Sequence, residues 1–159
     1  MPNTPAMIGA GITVWTATDS VSNYQKDLIK QLLDPLGKEE YVDDEDFIDM
    51  ATAVSGSGPA YTFLFMEASI ESAVHMGLPR GLAKTLTEET MKGAIAYAQA
   101  SKEHPAILRN DITSPGGTTA AATYKLEEGR FRTVVTDAIW AAYQRARQLG
   151  GKDHKVWRL

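Results

Sequence analysis

The spacing of apolar and polar residues divides the chain into a short mixed segment and a longer helical one. Residues 12–18 are rich in β-branched and aromatic side chains and alternate with a period of two, which predicts a strand. Asp19 and Ser20 are predicted to cap a helix that carries an apolar stripe and ends near Leu33, before a proline and a glycine. A second short extended piece is predicted at residues 39–42.

These two short strands are too few for a stable sheet, which needs about three strands or a helical cover. Two alternatives are open on the sequence alone. Either the strands pair with each other across the intervening helix, or their partners in the sheet lie outside this chain.

From Asp46 onward the pattern is helical and is interrupted by prolines and glycines. The helix predicted at residues 59–76 is apolar on nearly every face and must be buried on most sides. The helix predicted at residues 79–101 carries Gly93 and several alanines, which allow close contact between helices. We therefore expect a mainly helical protein that forms a homodimer through this region, with a frayed tail at residues 152–159. The predicted helices span residues 47–54, 59–76, 79–101, 105–110, 115–128 and 130–149.

The composition of the 159 residues limits the possible functions. Hydrophobic residues make up 43% and charged residues 23%, as in a soluble globular protein of about one domain. The net charge of −4 argues against binding to nucleic acid or to an anionic membrane surface. Glu67 and Glu71 interrupt the most apolar stretch, so we predict no membrane span, and the first residues do not resemble a secretory signal. The absence of cysteine excludes disulfides and fits a reducing compartment, and we expect a cytoplasmic protein.

Several common site motifs are incomplete in this sequence. None of the three histidines is followed by a second metal-type ligand three or four residues later, so we expect no metal site. The acidic residues 43–46 lack the glycine and the distal glutamate of a calcium loop, and we interpret them as complementing a helix dipole. Gly9-Ala10-Gly11 lacks the third glycine of a dinucleotide-binding fingerprint.

The strongest candidate site is Ser114-Pro115-Gly116-Gly117-Thr118-Thr119. Serine at an N-cap and proline at the first helical position predict a helix start, and two glycines there allow close approach to the backbone. Free N–H groups, the helix dipole and the threonine hydroxyls together suit a small carboxylate. An ordinary capped helix start explains these residues equally well. Residues 55–59 form a second turn of small residues, for which a close-packed helix joint is an equally good interpretation.

Four segments together resemble pyrroline-5-carboxylate reductase in their order and spacing, from Met1 to about Leu149. The resemblance implies the last step of proline biosynthesis, in which a hydride passes from NADPH or NADH to the C=N bond of 1-pyrroline-5-carboxylate and gives L-proline. The segments are Met1-Pro2-Asn3-Thr4-Pro5, Ser55-Gly56-Ser57-Gly58-Pro59-Ala60-Tyr61, Gly77-Leu78-Pro79-Arg80 and Thr113-Ser114-Pro115-Gly116-Gly117-Thr118-Thr119.

The resemblance also implies a fold and an assembly. Family members have an N-terminal Rossmann domain and a helical domain that forms an interlocked homodimer or a larger homo-oligomer. The substrate lies between one subunit's nicotinamide and the Ser-Pro-Gly-Gly loop of its partner. In the family the cofactor fingerprint lies upstream of the segment that stands first here. We therefore expect a mainly α fold: residues 1–44 as the β/α edge of an incomplete nucleotide-binding domain, and residues 45–159 as the helical dimerisation and substrate-binding domain.

Carried over residue by residue, the resemblance implies two groups of site residues. The first group binds the substrate, with the carboxylate held by Ser114 and by the amides near Thr118 and Thr119, and the ring nitrogen held by the Thr119 hydroxyl. This group is Ser114, Gly117, Thr118 and Thr119. The second group borders the nicotinamide of NADPH or NADH and consists of Asn3, Thr4, Pro5, Ser55, Gly56, Ser57 and Gly58. No general base is needed, because a cyclic imine protonates readily and the protein supplies orientation and electrostatics.

Two hypotheses about function follow from the sequence. The first is the substrate-binding and dimerisation half of a pyrroline-5-carboxylate reductase, which we expect to be inactive alone because the main cofactor-binding motif is absent. The alternative is a non-catalytic helical homodimerisation module derived from that family.

Overall fold

The computed structural model describes residues 1–152 and is mainly helical, as predicted. The tail predicted to fray lies outside the described residues, apart from Lys152. The elements are β1 (Gly11–Trp15), α1 (Asn23–Leu33), β2 (Gly37–Tyr41), α2 (Asp46–Ala51), α3 (Gly58–His75), α4 (Arg80–Ser101), α5 (Pro105–Asp111), α6 (Thr118–Glu128) and α7 (Phe131–Leu149).

Short irregular turns connect some of these elements. Two 3₁₀ turns lie at Thr4–Ile8 and Asp34–Leu36, and a π-helical turn lies at Thr52–Gly56. The helix predicted at residues 47–54 is therefore α2 followed by the π-helical turn. By its internal contacts the chain divides into two compact units, one made of Met1–Thr62 with the chain from Val135 onward, and one made of Phe63–Val134.

The two predicted strands pair with each other. β1 and β2 run parallel, with Gly11 opposite Gly37 and Trp15 opposite Tyr41, and α1 forms the crossover between them. Gly37 has a φ of 122°, and a Cβ atom there would overlap the backbone of Gly11. The strand backbones therefore approach too closely for a side chain at Gly37, while a Cβ atom on Gly11 would overlap Ala6 at 2.7–2.8 Å.

The N-terminal segment covers the other edge of β1. The Val14 N–H donates to the Met1 carbonyl over 3.0 Å, and the Ile12 N–H donates to Asn3 Oδ1 over 3.0 Å. The Met1 ammonium donates in turn to the Val14 carbonyl over 2.6 Å. Because both of its edges have partners, β1 leaves few of its backbone groups unpaired.

The start of α1 differs from the prediction. Ser22 is the N-cap, and it forms a capping box in which Gln25 N–H donates to Ser22 Oγ and Ser22 N–H donates to Gln25 Oε1. The predicted cap at Asp19 and Ser20 is wrong, because the reciprocal box satisfies two backbone donors at once. The strand predicted to reach residue 18 ends at Trp15, whose carbonyl accepts from the Val42 N–H just after β2.

Glycines end two of the helices as predicted. After α3, Leu78 N–H donates to the Ala73 carbonyl and Gly77 has a φ of 104°. After α7, Lys152 N–H donates to the Arg147 carbonyl and Gly151 has a φ of 69°. Both ends have the long hydrogen bond of a Schellman motif, in which glycine takes the left-handed conformation at low cost.

The turn between α6 and α7 departs from this pattern. Helix α6 ends at Glu128 with Gly129 as its C-cap, as predicted, but Gly129 has a φ of −73° and the left-handed residue is Arg130, with a φ of 56°. The Arg130 N–H donates to the Glu127 carbonyl over 2.9 Å. The reversal therefore occurs one residue later than the glycine.

The apolar surface of α3 is largely open to solvent in the single chain. Phe63 is 59%, Leu64 67% and Phe65 46% exposed. Among the described residues the buried apolar side chains are few: Trp15, Ala53 and Ala83. The prediction that this helix is buried on most sides therefore does not hold within one copy of the chain.

Candidate functional site

The segment Ser114 to Gly117 forms a β-turn. The Gly117 N–H donates to the Ser114 carbonyl over 3.1 Å, and Gly116, the third residue of the turn, has a φ of 72°. Proline at the second position and a left-handed glycine at the third match a type II turn. The predicted N-cap at Ser114 and first helical position at Pro115 are therefore wrong, because a left-handed Gly116 cannot lie within a first helical turn.

Helix α6 begins at Thr118, with Gly117 as its N-cap in an extended conformation and without a side-chain cap. Its first backbone bond runs from the Ala121 N–H to the Gly117 carbonyl over 3.1 Å. The N–H groups of Thr118, Thr119 and Ala120 consequently have no partner within the helix. They lie at the positive end of the helix dipole, which favours an anion.

Three hydroxyl groups belong to the same turn and helix start. Ser114 and Thr118 are exposed and Thr119 is half-buried, and none of the three hydroxyls donates to another described residue. Ser114 Oγ lies 2.6 Å from the point that a Cβ atom on Gly117 would occupy. The missing side chain of Gly117 therefore leaves room for the serine hydroxyl. One turn and one helix start bring together the predicted residues Ser114, Gly117, Thr118 and Thr119.

The second group of predicted residues is joined through Asn3. Asn3 Nδ2 donates to the Ser55 carbonyl over 3.1 Å, although the two residues are 52 positions apart. Thr4 and Pro5 follow Asn3 in the 3₁₀ turn, and Ser55 and Gly56 lie in the π-helical turn. The structure thus places the start of the chain beside the turn that leads into α3.

Hydrogen bonds between nearby residues stabilise the π-helical turn. The Ser57 N–H donates to the Thr52 carbonyl over 2.8 Å, and the Ser55 hydroxyl donates back to the Ala51 carbonyl over 2.9 Å. Ala53 is buried, and the Tyr61 hydroxyl donates to its carbonyl over 3.3 Å. The sequence gives no signal for this role of Tyr61, because the contact depends on the π-helical offset.

The space beside Gly58, the first residue of α3, is open. A Cβ atom on Gly58 would meet no neighbour within 4 Å. The Ser57 hydroxyl, one residue earlier, makes no hydrogen bond to another described residue. A polar ring could therefore approach the turn at these two residues.

The acidic residues at the start of α2 contact the backbone and a lysine side chain. Asp44 Oδ1 accepts from the Asp46 N–H over 2.8 Å, and Asp46 forms an ion pair with Lys152 at 2.7 Å. The hydrogen bond from Lys152 lowers the pKa of the Asp46 carboxyl, and the same bond raises the pKa of Lys152. The predicted fraying from Lys152 onward is wrong for Lys152 itself, because this contact holds it.

Metal and membrane features are lacking in the described part of the chain. Within residues 1–152, no three His, Asp or Glu side chains are grouped so that they could hold a metal ion. Over the same residues, no helix combines the length and the apolar character needed to cross a membrane.

The model of the pyrroline-5-carboxylate reductase dimerisation family matches residues 45–149. The chain belongs to the pyrroline-5-carboxylate reductase family. The family resemblance stated from the four sequence segments is thereby confirmed.

Individual members of the family match over a longer range. Pyrroline-5-carboxylate reductase from Pisum sativum is 44% identical over 149 residues, which are 94% of this chain and 54% of that protein. The Pseudomonas aeruginosa protein of the same name is also 44% identical, over 94% of this chain and 55% of its own length. The chain therefore spans about half the length of the curated relatives it matches.

A solved structure supports the fold. Plasmodium falciparum pyrroline carboxylate reductase with NADP bound has a TM-score of 0.90 and 35% identity, covering 94% of this chain and 61% of that one. The predicted fold class is confirmed: a mainly α reductase-family fold, with a helical dimerisation domain preceded by a short β/α remnant of a Rossmann-type domain.

Proposed function

We propose that this chain provides the substrate-binding and dimerisation half of a pyrroline-5-carboxylate reductase. The reaction adds a hydride and a proton across the C=N bond of 1-pyrroline-5-carboxylate and gives L-proline. The observation that carries this proposal is the open anion site at the start of α6, in a chain of this family. We place the protein in the cytoplasm, as expected from the sequence.

The α6 site fits a cyclic imino acid. The N–H groups of Thr118, Thr119 and Ala120 and the Ser114 hydroxyl would bind the carboxylate, whose charge matches the positive end of the helix dipole. The Thr119 hydroxyl would accept a hydrogen bond from the protonated ring nitrogen. The iminium form is the electrophile, and the bound orientation exposes its carbon to the hydride.

The nicotinamide side, which the family resemblance assigns to the other copy of the chain, would be formed by Asn3, Thr4, Pro5 and the residues from Ser55 to Gly58. The hydroxyls of Thr4 and Ser57 make no hydrogen bond to another described residue, and the space beside Gly58 is open. These features fit a flat polar ring. NADPH or NADH supplies the hydride when bound, and this chain lacks the glycine-rich motif that grips its pyrophosphate.

A second copy of the chain would cover the exposed apolar surface. Burial of such a surface drives association by roughly 25 cal/mol per Å² of apolar area. The large apolar side chains left exposed in the unit Phe63–Val134 include Phe63, Leu64, Phe65, Ile95, Tyr97, Tyr124 and Val134. We propose a homodimer, or a larger homo-oligomer built from it.

The test joins the complete 159-residue chain to the upstream part of the Pseudomonas aeruginosa relative. We expect this chimera to form proline from the imine with NADPH, and the 159-residue chain alone to oxidise no NADPH. Thr119→Val in the chimera should lower kcat/KM for the imine by about 10-fold to 150-fold, the loss expected for a hydrogen bond to a charged group.

The matched control is Thr85→Val, because the Thr85 hydroxyl bonds to the Gly81 carbonyl of its own helix. Its kcat/KM should equal that of the unmodified chimera. A chimera that dimerises and binds NADPH but forms no proline would reject the enzymatic function and favour the non-catalytic homodimerisation module.

A further inference from the structure

The side-chain amide of Asn3 joins three separate segments of the chain. Its Nδ2 donates to the Ser55 carbonyl over 3.1 Å, and its Oδ1 accepts from the Ile12 N–H over 3.0 Å. The residue itself is half-buried. One amide group therefore connects the N-terminal segment, the start of β1 and the π-helical turn.

The Ser55 carbonyl needs this donor because of the residue that follows four positions later. In a continuous α-helix the carbonyl of Ser55 would accept from the N–H of residue 59. Residue 59 is Pro59, which has no N–H. The π-helical bond of this turn runs instead from Ser57 to Thr52 and does not involve the Ser55 carbonyl. Asn3 thus supplies the donor that Pro59 lacks.

The Ile12 N–H lies on the edge of β1 that faces the N-terminal segment. Two residues further along, the Val14 N–H donates to the Met1 carbonyl. Asn3 Oδ1 therefore accepts a hydrogen bond from Ile12 in the same way that the Met1 carbonyl accepts one from Val14. Only an amide fits both partners, because a carboxylate would set an oxygen without a proton against the Ser55 carbonyl.

We propose that Asn3 is a positioning residue, which sets the separation between Thr4 on one side and Ser57 on the other. This proposal rests on the proposed function, in which both residues border the nicotinamide. Nδ2 and Oδ1 of Asn3 are both engaged by the protein backbone. Thr4 directly follows Asn3 in the chain, and Ser57 lies two residues after Ser55.

The test uses the chimera described above with Asn3→Asp and Asn3→Ala. Asn3→Asp keeps the acceptor for Ile12 and removes the donor to Ser55, and Asn3→Ala removes both. We expect both variants to raise KM for NADPH by about tenfold or more and to leave KM for the imine within about twofold. Asn23→Asp is the matched control, since Asn23 is exposed and its side chain makes no hydrogen bond to the described residues. Far-UV circular dichroism follows folding in every variant.

Each outcome decides the proposal. An active chimera in which the Asn3 variants keep the parental KM for NADPH would overturn the positioning role and leave the proposed function intact. Equal increases in both KM values, or variants that are unfolded at room temperature, would make Asn3 a general structural residue and would also overturn it. An inactive parental chimera would reject the proposed function together with this one.

Discussion

At the scale of single residues, Gly117 and Ser114 share one small volume. A methyl group on Gly117 would lie 2.6 Å from Ser114 Oγ and 3.2 Å from the Ser114 carbonyl oxygen. The serine side chain can rotate away from the added methyl group, so the chain can still fold. The rotation would, however, move the serine hydroxyl out of the site. The glycine therefore matters more for the position of a hydroxyl than for stability.

We expect Gly117→Ala in the chimera to lower kcat/KM for the imine about as much as Ser114→Ala does. Since both changes remove the same hydroxyl from the site, the double variant should be no worse than the poorer single variant. Steady-state kinetics on the three variants, with melting temperatures as a check on folding, measure this coupling. Strictly additive losses would contradict the shared volume.

At the scale of elements, an ion pair ties the end of α7 to α2. Lys152 Nζ lies 2.7 Å from Asp46 Oδ1 and 3.3 Å from Asp49 Oδ2. The first contact is a hydrogen bond, while the second is an ion pair without hydrogen-bond geometry, since Asp49 Oδ2 has no hydrogen-bond partner. The Schellman motif that ends α7 places Lys152 beside the carboxylates of Asp46 and Asp49.

The pH dependence of the ion pair between Asp46 and Lys152 follows from the shifts of their two pKa values. The pKa of Asp46 is lowered from its ordinary value of 3.8. The stability that the charged Asp46 contributes is therefore present above pH 3.8 and is lost as the pH falls through the lower folded pKa. The pKa of Lys152 is raised from 10.5. The stability that the charged Lys152 contributes is therefore present below pH 10.5 and is lost as the pH rises through the higher folded pKa. We expect Lys152→Met to lower the melting temperature at neutral pH, and we expect this effect to shrink as the pH falls through the folded pKa of Asp46.

Lys38→Met is the control for the change in net charge, because Lys38 is exposed on β2 and makes no ion pair with the described residues. An equal effect of the two substitutions at neutral pH would assign the loss to net charge and not to the pair.

Helix α4 offers a comparison between two glycines. A Cβ atom added at either Gly81 or Gly93 would meet no other atom within 4 Å in the single chain. Replacing a helical glycine by alanine stabilises a helix by about 0.5–1 kcal/mol where nothing opposes it. We expect Gly81→Ala to raise the melting temperature and Gly93→Ala to weaken the dimer, because Gly93 lies on the small-residue face predicted to pack against a second copy. Sedimentation equilibrium gives the dimer Kd, and an unchanged Kd for Gly93→Ala would contradict that packing.

At the scale of the whole molecule, residues 1–152 include few buried apolar side chains. The prediction of a homodimer comes from the apolar faces of the helix at residues 59–76, and the exposed Phe63, Leu64 and Phe65 support it. Obligate interfaces commonly bury more than about 2,000 Å². We therefore expect light scattering at low micromolar concentration to give twice the chain mass of 17.3 kDa, with a melting temperature that rises with concentration. A mass near that of one chain with a concentration-independent melt would refute the dimer.

Features that depend on neighbouring residues could be predicted from the amino-acid sequence alone. Proline and glycine marked most helix boundaries to within a few residues, and the glycines at 77 and 151 end α3 and α7 as their left-handed preference requires. The four motif segments were enough to indicate the family. They also grouped Ser114, Gly117, Thr118 and Thr119, which lie within six positions of one another.

Features that join distant residues, or that depend on a choice between two local patterns, became clear only from the folded chain. The sequence left the pairing of β1 with β2 open, and it could not show that Asn3 reaches Ser55 across 52 positions. It also could not decide whether Ser-Pro-Gly-Gly opens a helix or forms a turn, since proline suits both. The left-handed Gly116 decides for the turn, and α6 begins where the next amides are free. Local preferences fix which conformations each residue can adopt, and packing and hydrogen bonds between distant segments select among them.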